Sequence, residues 1–143
     1  MLVAADRLDR PGPYQLQAAI TWEHARAADP VATNWHRIAD LYATLAAITR
    51  SPVVELNRAV AVAMAEGPAA GLALVDRLAG GRVLDGYQHL HATRADLLRR
   101  LGRLDEAAAA YRRALALADN RPSGELLGRR LAEVGAEGAQ ATE

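Results

Sequence analysis

At 143 residues the chain is long enough for one domain around a continuous core. Hydrophobic residues make up 51% of it, yet Phe is absent and aromatics reach only 4%, so alanine and leucine must fill an interior that suits closely approaching helices better than a β-sandwich. Seventeen basic residues, all Arg, balance 17 acidic ones to a net charge of zero, which argues against a free-standing duplex-DNA binder, and the absence of Cys excludes disulfides and thiolate metal sites.

The opening MLVAADRLDR interrupts its apolar stretch with charges, so it does not read as a secretory leader. No window approaches the roughly 18–20 apolar residues of a membrane span. The expected compartment is the cytoplasm.

Punctuation by Pro and Gly predicts about seven helices. Residues 1–12 are expected to be a linker or the end of a preceding region. After Arg10-Pro11-Gly12 the first helix is predicted from Pro13 to about Ala28, because proline suits a first turn whose N–H groups lack intrahelical partners. Asp29-Pro30 ends it. The second helix is predicted from about Thr33 to Ile48, with Thr33 or Asn34 as its N-cap. Arg50-Ser51-Pro52 breaks the chain, and Ser51 caps a third helix reaching Ala65. Gly67-Pro68 turns into a fourth, which ends near Leu78 before Gly80-Gly81. The fifth spans about Tyr87 to Leu101. The sixth starts at Asp105 and ends near Ala118. Ser123 is the expected cap of a seventh, reaching Val134, and 135–143 is expected to be a disordered tail.

Apolar spacing supports these assignments. Trp35, Ile38, Ala39, Tyr42, Leu45 and Ala46 share one helix face, as do Leu104, Ala107, Tyr111, Ala114, Leu115 and Ala118. Short loops then make consecutive helices antiparallel hairpins.

A repeat is also legible. Leu101-Gly102-Arg103-Leu104-Asp105-Glu106-Ala107, followed by Tyr111, Ala114 and Leu115, resembles the second half of a tetratricopeptide (TPR) repeat. Gly102 would make the turn, Ala107 the helix crossing, and Tyr111 would fill the gap between hairpins. Ala95 falls at the small position of the preceding helix. Arg94 stands where leucine is usual, and Asp119 where proline is. Leu56, Ala59, Val62, Gly67, Ala70 and Leu74 trace a shortened copy, and Trp35-x-x-Ile38-Ala39-x-x-Tyr42 repeats the first-helix signature. The expected fold class over residues 13–134 is therefore all-α, a TPR-like solenoid of antiparallel helical hairpins. The first and seventh helices would cap the stack, and a concave face would be lined by the first helix of each pair.

Catalytic chemistry is not signalled. Ser51 and Ser123 both read as caps. Among His24, His36, His89 and His91, the last two stand two apart, whereas a helical zinc site wants three or four. Gly80, Gly81 and Gly86 follow no strand, so they read as a loop. Six Arg between 94 and 113 exceed the local acids and read as a solvated face. No cofactor or metal is expected. Polar groups set in apolar helices are more informative: Tyr14, Gln15 and Gln17, then Asn57 and Arg58, then Tyr87, His91 and Arg94. Each needs a hydrogen-bond partner, either in an internal network or on another molecule. Tyr14, Gln17, Trp35, Asn57, Arg58, His91 and Arg94 are the candidate partner-binding residues.

Four stretches carry a more specific likeness: residues 10–20 (RPGPYQLQAAI), 51–62 (SPVVELNRAVAV), 67–74 (GPAAGLAL) and 91–103 (HATRADLLRRLGR). In this order they resemble the carboxy-terminal TPR-like extension of a group of bacterial extracytoplasmic-function RNA polymerase sigma factors. The likeness covers about residues 8–134. It implies a role in transcription initiation, exercised through the sigma core domains or RNA polymerase as protein partners. The family's promoter-reading regions are not recognisable in this sequence, so it resembles the tail of a longer protein; the resemblance does not imply DNA binding by this tail, and the zero net charge argues against it. It implies no catalytic residue. The alternative reading is a stand-alone TPR-type adaptor that captures a peptide.

Overall fold

The computed structural model describes residues 12–27 and 32–141, which form seven α-helices and no strand. These are α1 (Pro13–Arg26), α2 (Trp35–Thr49), α3 (Pro52–Glu66), α4 (Pro68–Gly80), α5 (Gln88–Arg100), α6 (Leu104–Ala116) and α7 (Arg121–Ala141). The all-α expectation holds. All of the expected linker except Gly12 lies outside the described residues, as does the Asp29-Pro30 break.

Local chemistry accounts for most boundaries. The Asn34 side chain accepts the Arg37 N–H at 3.1 Å, and Ser51 accepts the Val54 N–H at 3.4 Å, so each satisfies a donor that the first helical turn leaves open. Proline occupies the first turn of α1, α3 and α4. Gly67 alone ends α3 and starts α4. Its φ of 107° is one that a side chain would strain.

Two boundaries differ from expectation. Asn120, not Ser123, caps α7: its side chain accepts the Ser123 N–H at 2.9 Å. This register places Pro122 in the first turn, where no partner is needed for its missing N–H. The helix also continues past Val134 to Ala141, through the segment expected to be a disordered tail. Arg99 of α5 pairs with Glu137 at 3.0 Å and holds that extension.

Each helix packs against the next in sequence; among the described residues α3 also approaches α5, and α7 reaches past α6 to α5 through ion pairs. The interior is accordingly split. One core gathers Leu16, Ile20, Ile38, Leu41 and Leu45 with Ala61 and Val62; the other gathers Leu56, Ala59 and Ala63 with Leu72, Val75, Leu90, Ala95, Leu98, Ala107, Tyr111 and Val134. Helix α3 supplies residues to both. Fully burying a leucine stabilises by about 1.5–3 kcal/mol, so each core is a separate source of cohesion.

Small residues set the helix spacing. An added methyl at Gly71 of α4 would lie 2.5 Å from the Ala63 Cβ and 2.8 Å from the Ala59 carbonyl oxygen. The crossing of α3 and α4 therefore rests on Gly71, one residue from the Ala70 that the repeat register nominates. Ala95 and Ala107, the nominated crossing residues of α5 and α6, are both fully buried.

Candidate docking surface

Helix α5 carries polar side chains in two directions. Toward α4, the Arg94 Nε lies 2.8 Å from the Asp76 Oδ1. His91 donates from Nε2 to the Asp85 carbonyl at 2.7 Å, which fixes the proton on that nitrogen because a carbonyl can only accept. Both candidate residues thus tie α5 to α4 and to the loop that follows it.

Toward α6 and α7 the arrangement is richer. The buried Tyr111 hydroxyl donates to Asp96 Oδ1, and the Arg130 Nη1 reaches the same oxygen at 2.6 Å. Burial first, and then the bond to the Asp96 carboxylate, push the Tyr111 phenol up from 10.0 to about 12. The Asp96 bond likewise raises the Arg130 guanidinium, and the Glu137 bond raises that of Arg99. His89, Thr93, Asp96, Leu126, Leu127 and Arg130 line an open cleft of about 230 Å³ above Tyr111.

A second cleft, about 320 Å³, lies between α3 and α4 and is lined by Glu55, Arg58, Leu74, Arg77 and Leu78. The Arg58 Nη1 meets the Glu55 Oε1 at 2.5 Å. Arg58 also borders a smaller hollow of about 140 Å³ with His36, Asp40 and Glu66 on the α2 side. It stands at the rim of both hollows, one on each side of α3.

The other candidates are spread out. Tyr14 is 87% exposed on α1, and Gln17 is exposed on the same helix. Trp35 meets His24 edge-on, with ring centroids 5.4 Å apart, and packs on the first core. Asn57 is half-buried beside Arg58 on α3. The seven residues therefore occupy four helices and do not converge on one site.

Sequence reasoning missed three participants. Asp96 and Arg130 were unremarkable charges, and Glu23, buried between Arg26 at 3.1 Å and Arg37 at 4.0 Å, was overlooked. Only the repeat position of Tyr111 pointed toward its network. Among the described residues no cluster of three metal-ligating side chains forms, and no helix is long and apolar enough to cross a membrane.

No family model matches the chain. Over all of its 143 residues it is 48% identical to an uncharacterized protein of Rhizobium meliloti (strain 1021). It spans about a third of the length of that relative, 33%.

Proposed function

We propose that the chain is a non-catalytic, cytoplasmic docking module of a longer protein: the TPR-like carboxy-terminal extension of an extracytoplasmic-function sigma factor, acting in transcription initiation by binding the sigma core or RNA polymerase. The observation that carries the reading is the row-like order of helices, each resting on the next, with two cores divided by α3. A row of helix pairs leaves long lateral surfaces, where a compact bundle would close on itself. Arg58 and the two hollows beside it supply polar contacts there, and Tyr14 and Gln17 extend the surface to α1. The chain's share of its Rhizobium relative fits a module within a larger polypeptide.

The test removes these residues from the full-length protein and measures promoter-specific transcription with purified polymerase. Loss or altered control of transcription is expected. Titration calorimetry of the module against the remainder of the protein, and against polymerase, then identifies the docking partner. Unchanged transcription together with no heat of binding to either would refute the proposal.

A further inference from the structure

Helix α7 contains Gly124, Gly128, Gly135 and Gly138. None has a positive φ, and beyond the helix's own nearby backbone none has an atom within 4 Å of where a methyl group would sit. In contrast to Gly71, neither packing nor backbone shape requires them. Each weakens the helix roughly fourfold relative to alanine.

Its apolar burial is small for its length. Across 21 residues it buries Leu127 and Val134, and partly Leu131, while Leu126 stays 43% exposed. Charge supplies much of the remainder: Arg130 to Asp96 at 2.6 Å, and Arg99 to Glu133 at 3.8 Å and Glu137 at 3.0 Å. All five groups are partly solvent-exposed, so these bonds are individually weak and sensitive to salt.

We propose that α7 is a displaceable cap, seated on the α5–α6 face in place of an amphipathic helix from the remainder of the longer protein. The helix now seated there specifies the chemistry of its replacement. It needs an apolar stripe spaced like Leu127, Leu131 and Val134, a guanidinium for Asp96, and carboxylates for Arg99. A competitor lacking the glycines would lose less entropy on ordering and would hold the same face more firmly. The Rhizobium relative is about three times as long as this chain, since the match covers 33% of it, so ample chain exists to supply such a helix. The inference rests on the docking-module reading.

The probe is a fluorescent peptide of residues 121–141 with its four glycines replaced by alanine, titrated into the whole chain and followed by anisotropy. Saturable binding is expected. Arg130→Gln in the chain weakens only the tethered α7, so it should tighten the peptide about fivefold. Introducing G124A, G128A, G135A and G138A into the chain strengthens the tethered helix and should weaken the peptide on the order of a hundredfold. No binding, or equal affinity for both variants, overturns the proposal. So does a wild-type chain that sediments as a dimer and exchanges α7 between copies. No polymerase is involved, so a failed transcription test and a failed peptide test remain distinguishable.

Discussion

Replacing Gly71 by alanine should destabilise the protein, while the same change at Gly128 should stabilise it. At Gly71 the new methyl would sit 2.5 Å from the Ala63 Cβ and 2.8 Å from the Ala59 carbonyl oxygen. Carbon atoms in favourable contact are about 3.5–4.0 Å apart, so α3 and α4 would have to part by about 1 Å. Neither obstacle can swing aside, because one is backbone and the other a Cβ fixed to the facing helix. Overpacking of this kind costs about 1–3 kcal/mol, offset by slightly under about 1 kcal/mol of helix propensity. Because α3 borders both cores, its displacement is felt on two sides, and a net loss of about 1–2 kcal/mol is expected. At Gly128 nothing lies within 4 Å of the added methyl. Propensity then acts alone, giving a gain of about 0.5–1 kcal/mol. Urea unfolding followed by far-ultraviolet circular dichroism reads both. A Gly71→Ala protein as stable as the parent would mean that the two helices do not cross closely there.

Tyr111→Phe removes the donor to Asp96 and should cost about 1–2 kcal/mol at neutral pH. Folded Tyr111 keeps its proton up to about pH 12, whereas the unfolded residue loses it near 10.0. The associated stability is complete below pH 10.0 and disappears as pH rises through about 12, so the parent's advantage over the variant should vanish across that window; a constant gap in urea midpoints would contradict this. His91→Ala releases the Asp85 carbonyl and should cost about 1 kcal/mol. Faster amide exchange should be confined to residues 81–87, and an unchanged rate there would exclude the tether. Arg94→Ala breaks a partly exposed pair with Asp76 and should cost no more than about 1 kcal/mol, less in high salt. A larger loss, read from the same urea midpoints, would show a role beyond the ion pair.

What the sequence revealed was whatever one turn of chain decides. Asn34 and Ser51 cap because a short side chain can fold back on the next turn, and Gly67 turns because it alone tolerates the required φ. The apolar spacing of α2 and α6 likewise returned the buried faces. Legibility failed where two signals competed or partners lay far apart. Asn120 and Ser123 can both cap, and only the placement of Pro122 decides between them. The tail composition suggests fraying, but Arg99, 38 residues away from Glu137, anchors it. Asp96 meets Tyr111 and Arg130 across 15 and 34 residues, and no local pattern announces such pairs. His91 and Arg94 were noticed as polar groups needing partners, yet the sequence could not say that α4 and its following loop supply them.

Where helices pack mainly on their neighbours in sequence, a polar side chain can sit between two of them and still reach water at the edge. Asp96 and Arg130 remain 38% and 36% exposed although Tyr111 beneath them is fully buried. Charged pairs can therefore specify which helix stands beside which without the full desolvation penalty of a buried ion pair. Glu23 to Arg37 joins α1 to α2, Asp76 to Arg94 joins α4 to α5, and α7 is joined to α5 by Arg130 and Arg99. Among the described residues no ion pair crosses between α3 and α2 or α4, where apolar packing and the Gly71 contact act instead. Screening should therefore loosen α1 and α7 while leaving α3 firm, since salt weakens exposed pairs and leaves apolar burial intact. Hydrogen exchange at low and high sodium chloride measures this directly. If the amides of α3 lost as much protection as those of α7, the molecule would be one cooperative unit, and the two-core division would have no energetic meaning.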